Sequence, residues 1–327
     1  MVRCALVSGK GMGLMHGRNF NNHPDAEVVA VCDMDPGLLA AAKEEFKVPG
    51  YSSLDELLAN CDAELILLIT NETRRIPPLR QAIKAGRNVF TEKPLCGLEG
   101  QDRVKESDSA LAAPAIKEWR ESSVKFGIDF NYRFFRHFRM LHEDVAEGRL
   151  GEIQFVRARA HFACWSHVID QVLWTMGMPE WVSVLGDPNK PGGWHRLIHM
   201  KWSNGADGEL TGADSWGWYE EPLSVTVVGD KYYAEARGLN GLYCRNKAYG
   251  VEVDERWEVE GERQEYGESF ARMADGVIKA MQANKPFPAD GEAAWNEILF
   301  EAAVHRSAIK GGERIFISDV EKDAMNG

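Results

Sequence analysis

Three groups of residues in this chain could do chemistry together. The first is Glu92-Lys93-Pro94, at the end of the apolar run Asn88-Val89-Phe90-Thr91. A lysine suits a buried strand end only where its charge or its proton is used. Pro94 removes a backbone donor and confines Lys93 to extended conformations, so the amine is held in one direction. The second group is the loop Ser8-Gly9-Lys10-Gly11-Met12-Gly13, followed by Asp33 twenty residues after Gly13. Glycines let backbone approach a pyrophosphate at a helix N-terminus, and a carboxylate at that distance accepts bonds from an adenosine ribose. The third is His167 with Asp170 three residues on, which share one face of a helix. The positive end of that helix favours a neutral imidazole, available as base or donor. A nucleotide loop beside a lysine and a histidine points to hydride transfer, in which a base takes a hydroxyl proton while hydride leaves the same carbon.

These side chains need a scaffold, and the hydrophobic pattern supplies one. Strands are expected at Val2–Val7, Glu27–Cys32, Leu65–Ile69, Asn88–Phe90 and Val124–Phe130. Helices are expected between them at Met12–Asn21, Pro36–Glu45 and Pro77–Ala85, with a short one capped by Ser53 and Glu56. A polar, irregular stretch over Gly100–Ala113 precedes a helix at Ala115–Ser122. Alternating strand and helix implies right-handed crossovers and a doubly wound parallel sheet in residues 1–130. Residues 131–327 have a different texture. A helix at Phe135–Glu147, a strand at Glu152–Phe162 and a helix at Ser166–Thr175 come first. Short strands with turns at Asn204-Gly205, Gly229-Asp230 and Asn240-Gly241 follow, then helices at Ser269–Gln282 and Gly291–Ala308 and a strand at Ile315–Ser318. The expectation is an α/β protein: a Rossmann domain, then an α+β domain with a large, mostly antiparallel open sheet.

The 327 residues are 44% hydrophobic and 27% charged, the balance of a globular protein, and carry a formal net charge of −12. That charge argues against nucleic acid and anionic membrane surfaces as partners. No apolar run approaches the ~20 residues of a membrane span. The first strand begins at Val2, which leaves no room for a signal peptide. Six scattered cysteines without a CxxC pair read as reduced core residues, so a cytoplasmic protein is expected. His161, His167 and His195 lack the carboxylate or cysteine spacing of a zinc site, and no metal is expected.

In order and spacing, several segments resemble the glucose–fructose oxidoreductase/inositol dehydrogenase/MocA family (Gfo/Idh/MocA) over nearly the whole chain. They are Gly13-Leu14-Met15-His16, Val31-Cys32-Asp33, Ala85-Gly86-Arg87-Asn88-Val89 with Glu92-Lys93-Pro94, Phe130-Asn131-Tyr132-Arg133-Phe134, Gly148-Arg149-Leu150-Gly151-Glu152-Ile153 and His167-Val168-Ile169-Asp170. The resemblance implies a sugar- or cyclitol-like substrate, a homodimer or homotetramer through the open sheet, and a cis bond at Lys93-Pro94. It implies Lys93 and His167 as the proton-handling pair. Tyr132, Arg133, Asp170, His161 and Trp165 are expected at the substrate. Ser8, Gly9, Lys10, Gly11, Met12, Gly13, Asp33, Thr70, Asn71, Glu92 and Lys93 are expected at the cofactor. Asp33, followed by Met34 and Asp35 rather than arginine, favours NAD over NADP.

The chain also departs from the pattern. The glycine loop fits G-x-G-x-x-G in two registers: Gly13 is the third glycine with Ser8 and Lys10 in place of the first two, or Gly9 and Gly11 are the first two with Leu14 in place of the third. Relatives carry an aspartate four residues before the motif histidine, where this chain has Ala163; His161 is a candidate to substitute for it or, on a strand, to face solvent. Arg75 stands at a common histidine position and, with Arg74, is a candidate for an anionic substrate group or for a solvated helix start. Trp165 and Trp194 are the tryptophans expected to stack on a sugar. Two alternatives accompany the dehydrogenase reading: a redox-assisted glycosidase or lyase that retains NAD, and a nicotinamide-binding protein with impaired catalysis.

Overall fold

The structure is a computed structural model and describes residues 1–101, 103–186, 196–213, 222–239, 241–248, 253–258 and 264–326. Trp194, His195 and Asn240 therefore lie outside the described residues. The chain divides into two compact units. One comprises Met1–Leu98, Leu111–Asp129 and Phe270–Trp295, the other Glu99–Ala110, Phe130–Ser269 and Asn296–Gly327.

The first unit is built on six parallel strands, β1 (Val2–Val7), β2 (Ala26–Cys32), β3 (Gly50–Tyr51), β4 (Leu65–Leu68), β5 (Asn88–Thr91) and β6 (Phe126–Ile128). Their order is β3-β2-β1-β4-β5-β6, the doubly wound order of dinucleotide-binding sheets. Central β4, Leu-Ile-Leu-Leu, is buried along its whole length because helices cover both faces of a parallel sheet. Those helices are α1 (Met12–Asn21), α2 (Pro36–Phe46), α3 (Leu54–Asn60), α4 (Ile76–Lys84) and the later turns of α5 (Glu106–Arg120). Local chemistry sets their ends. Asp35 caps α2, accepting the Gly37 and Leu38 N–H groups at 2.8 and 3.0 Å, with Pro36 in the first turn. Ser53 Oγ accepts the Glu56 N–H at 3.2 Å, but the Glu56 carboxylate turns to Ser52 rather than closing the box on Ser53. The register matters most for function: Val7 pairs with Cys32 and Leu68, Leu68 with Thr91, and Thr91 with Ile128. The segments leaving β1, β2, β4, β5 and β6 thus emerge along one edge of the sheet, at its carboxyl ends.

The second unit begins with a 3-10 turn at Asn131–Phe134 and α6 (Arg136–Ala146). Next come β7 (Ile153–His161), α7 (Trp165–Met176), β8 (Trp181–Leu185), β9 (Arg196–Lys201), β10 (Asp207–Ala213), β11 (Leu223–Gly229), β12 (Tyr232–Arg237), β13 (Leu242–Lys247) and β14 (Val253–Glu258). The chain closes with α8 (Gln264–Gln282), α9 (Gly291–Ile309), β15 (Ile315–Phe316) and α10 (Ile317–Asn326). The sheet order is β14-β13-β12-β11-β7-β10-β9-β8-β15, antiparallel except between β7 and β10. One face buries Val156, Ala158, Ala160, Leu210, Val225 and Val227. The opposite face leaves Leu185, Leu197 and Phe316 exposed, and Leu185 pairs directly with Leu197.

The expected architecture is present, with three local corrections. The stretch expected to be irregular up to Ala113 is already helical from Glu106, and Pro114 lies inside α5. Glu106 and Asp108 favour the helix start, and alanines 110, 112, 113 and 115 carry it through the one missing N–H. Strand β8 and helix α10 were not expected. Trp-Val-Ser-Val-Leu is too short for periodicity to show, and α10 begins directly where β15 ends.

Candidate active site

The glycine loop joins β1 to α1 at the carboxyl edge of the first sheet. A Cβ on Gly13 would sit 2.6 Å from the Ser8 carbonyl oxygen, so only glycine lets helix and strand approach there. Gly11 has φ +51° and open space beyond it. Ser8 has φ 141°, a conformation suited to glycine. Of the two motif registers, the one with Gly13 third is favoured: Ser8 holds the first glycine's backbone and Gly13 the close-packing position. At the start of α1, Gly11 offers no side-chain cap and the first turn holds no acidic residue. The Gly13 N–H donates to the Lys10 carbonyl at 2.9 Å, and the uncapped, uncharged first turn otherwise suits an anion. Asp33 Oδ2 accepts the Gly9 N–H at 2.7 Å and Oδ1 the Asp35 N–H at 2.9 Å. This cradle fits a dinucleotide: a helix N-terminus without side-chain cap or acidic residue for a diphosphate, and a carboxylate at the next strand end for a ribose.

Thr70 and Asn71 leave β4 on the same edge. Asn71 Oδ1 accepts the Thr73 N–H at 3.0 Å and starts a 3-10 turn. Arg75 is a correction to both of its expected roles, because it is buried rather than solvated or open to an anionic substrate. Its guanidinium donates to the carbonyls of Thr70 and Pro94, tying the end of β4 to the segment after Lys93. The Lys93-Pro94 peptide is cis, and Lys93 is half-buried. Glu92 is nearly closed off, with its carboxylate turned inward: Oε2 accepts the Lys93 N–H at 3.0 Å, and Oε1 meets His16 Nε2 at 2.9 Å.

His16, on α1, is a residue whose importance the sequence did not show. It is fully buried, between Glu92 Oε1 at 2.9 Å and Asp129 Oδ2 at 3.2 Å. Phe90 and Phe270 stand edge-on to its ring. Burial works against the imidazolium, but the Asp129 and Glu92 carboxylates hold it up to about 10. Burial would raise Glu92; the His16 bond and the charges of His16, Lys93 and Arg75 hold it down to about 2. Asp129 is pushed up to about 6 by burial, with His16 opposing and Glu92 assisting. Among the described residues these three bring donor atoms within 4.8 Å of one another. Nε2 lies at hydrogen-bond distance from both carboxylates, so the arrangement is an ion-paired triad rather than a set of metal ligands.

In the second unit, the Tyr132 ring lies between His167, 3.9 Å away and nearly parallel, and Phe135 at 4.5 Å. The Tyr132 hydroxyl meets Cys164 Sγ at 3.4 Å. Arg133 donates to both oxygens of Asp170, the shortest bond being 2.6 Å, with its guanidinium over Phe130 and Trp174. Burial raises the Asp170 carboxyl, and Arg133 opposes that shift. His161 is turned onto its own backbone, Nδ1 accepting the Ala163 N–H at 3.2 Å at the turn where Ala163 stands. Trp165 is buried, with the Arg196 guanidinium 5.2 Å over its ring, so it does not present the open stacking face expected of it. Tyr132, His167, Arg133 and Asp170 thus form two contiguous pairs, while His161 and Trp165 are engaged elsewhere.

Residues 2–112 match the model of an oxidoreductase family with an NAD-binding Rossmann fold. Over this stretch the chain is similar to the Gfo/Idh/MocA family. It is 24% identical to an inositol 2-dehydrogenase of Rhizobium meliloti over 155 residues, 47% of this chain and 44% of that protein. It is 27% identical to a myo-inositol 2-dehydrogenase of Thermotoga maritima over 158 residues, 48% of this chain and 44% of that protein. Each of these matches spans less than half the relative's length. In fold it resembles the WlbA dehydrogenase of Bordetella pertussis, solved with NADH and UDP-GlcNAcA, with a TM-score of 0.78 and 21% identity over 96% of this chain and 97% of that one. The six-strand parallel sheet and the nine-strand, mostly antiparallel sheet are thus a fold that this chain shares with that solved structure. No helix among the described residues is long and apolar enough to cross a membrane.

Proposed function

We propose that the chain is an NAD-dependent oxidoreductase that moves hydride between nicotinamide and a secondary alcohol or ketone of a sugar, cyclitol or related compound. One observation carries this reading. The strand register brings the glycine loop, Asp33 and Glu92-Lys93 to a single edge of the first sheet, where doubly wound sheets bind their ligands. The relatives named as inositol dehydrogenases support the substrate class and favour net oxidation over redox-assisted cleavage.

Bound NAD would supply the hydride acceptor; the chain's own residues supply the rest. Ser8–Gly13 and the start of α1 would hold the diphosphate, and Asp33 the ribose. The Lys93 amine would take the hydroxyl proton as the carbinol C–H bond breaks, leaving a ketone and an ammonium; in reduction the same group returns the proton. Arg75 would keep Lys93 in place by holding the carbonyl of Pro94. His167, steadied by the Tyr132 ring, and Asp170, locked by Arg133, are proposed to contact the substrate, with His167 a second candidate for the proton. Ala163 leaves the histidine without the carboxylate that relatives carry four residues earlier. A homo-oligomer through the open sheet face is part of the proposal, supported by exposed Leu185, Leu197 and Phe316. So is a cytoplasmic setting, supported by six free thiols. The test is a polyol and sugar panel read by NADH absorbance, run with wild type and Lys93→Ala. Absence of NADH formation on any polyol, despite NAD binding, would count against the reading.

A further inference from the structure

Proton transfer by Lys93 leaves the buried triad beneath it without a task. A buried imidazolium between two carboxylates is a costly arrangement that three apolar side chains could replace. Its position shows what it acts on. Glu92 and Asp129 follow the adjacent strands β5 and β6, and His16 reaches them from α1, the helix that follows the glycine loop. Glu92 joins the triad through Oε1 and the Lys93 backbone through Oε2. Asp129 grips the same strand end through its backbone, its N–H donating to the Thr91 carbonyl at 2.8 Å. His16 therefore fixes one residue that holds the Lys93 N–H, Glu92, and one that holds the strand end two residues before Lys93, Asp129.

We propose that His16, Glu92 and Asp129 form a charge-balanced platform behind Lys93, in which His16 is a positioning residue that sets how Lys93 is presented and at what pH its amine changes charge. The proposal rests on Lys93 being the proton carrier. The charges packed around the triad come from several elements. The Lys93 charge bears on both Glu92 and Asp129, Arg75 bears on Glu92, and Glu72 and Cys96 bear on Arg75. The Phe90 and Phe270 rings face His16 from its other sides. With His16 and Arg75 positive and Glu92 and Asp129 negative, these four groups are formally neutral together. A change of one charge there must move the Lys93 titration in a direction fixed by its sign, because water does not screen buried charges.

The test uses three variants of the full chain saturated with NAD. His16→Gln keeps a donor but leaves one net negative charge. Asp129→Asn keeps the shape but leaves one net positive charge. The double variant restores neutrality. The titration midpoint of the Lys93 amine is read by NMR on isotope-labelled lysine, with Lys93→Ala identifying the signal. The midpoint is expected to rise by on the order of one pH unit in His16→Gln, to fall by a similar amount in Asp129→Asn, and to return near wild type in the double variant. Shifts of the same sign in both single variants, or none, would overturn the platform. Should His16→Gln fail to fold, the direction of the Asp129→Asn shift decides alone. Turnover of Lys93→Ala separates the platform from the reading it rests on. Retained turnover removes the reading of Lys93, whereas lost turnover with unmoved midpoints removes only the platform.

Discussion

Replacing Asp33 by asparagine should collapse the preference for NAD over NADP, and the structure says by how much. Asp33 follows β2 at the sheet edge, next to an exposed Met34 and to Asp35, with no cation beside it in sequence. A carboxylate bonded to the ribose 2′-oxygen would lie about 4 Å from a phosphate placed there. Repulsion at that distance is about 1 kcal/mol in bulk water and about 4 kcal/mol at the effective dielectric of a protein surface. The wild type should therefore prefer NAD by roughly five- to a thousandfold. An asparagine at this position removes the charge, and the preference should fall to within roughly threefold. Its side chain also accepts only one of the two N–H groups, from Gly9 and Asp35, that Asp33 now accepts. Losing one charge-assisted bond costs about 1.5 kcal/mol, so NAD itself should bind roughly tenfold more weakly. Calorimetric titration of both nucleotides at fixed ionic strength measures both effects, with thermal unfolding as a control for the fold. An unchanged NAD:NADP ratio in Asp33→Asn would refute the assignment of the ribose to Asp33.

Other predictions concern the second unit, the triad and the sheet face. Asp170→Asn should destabilise the protein by about 3–5 kcal/mol in urea unfolding, because it removes the buried carboxylate that pairs with half-buried Arg133, whereas Arg133→Met with Asp170→Leu should recover most of that loss; a loss below about 1 kcal/mol in the single variant would show that the pair is not what holds α7. The His16 imidazolium has a folded-state value of about 10 against an ordinary 6.5. Its proton therefore stabilises the fold fully below about pH 6.5, and that contribution is lost as pH rises through about 10. The stability difference between wild type and His16→Gln should shrink by about 1.4 kcal/mol per pH unit across that window; a difference that is flat with pH would contradict the charge assigned to His16. Leu197→Glu places a charge on the open sheet face opposite Leu185 and should shift the protein toward monomer in sedimentation experiments; an unchanged mass would remove that face as the oligomer contact.

Much of the fold was legible because its signals are local. Val2–Val7, Met12–Asn21 and Pro36 at the start of α2 follow from periodicity, proline and capping chemistry that act within a few residues. The edge proposed to take the cofactor was legible for the same reason, since a glycine loop and an acidic strand end are spaced by the βαβ unit itself. What could not be read depends on contacts distant in sequence. His16 meets Glu92 and Asp129 only after the four strands β1, β4, β5 and β6 have been laid side by side, so it looked like one more residue of a loop motif. Arg75 looked solvated because its partners, the carbonyls of Thr70 and Pro94, are backbone atoms with no sequence signature. The α5 start was missed because Pro114 reads as a helix opener, while the alanines around it sustain a helix already under way.

The central claim is that Lys93 carries the proton while NAD is held by a separate set of residues. Its most direct test measures, for one protein preparation of Lys93→Ala, both NAD affinity and NADH formation on a polyol that the wild type oxidises. The account predicts NAD affinity within a few fold of wild type and turnover reduced by roughly a hundredfold or more. Turnover close to wild type in Lys93→Ala would contradict it.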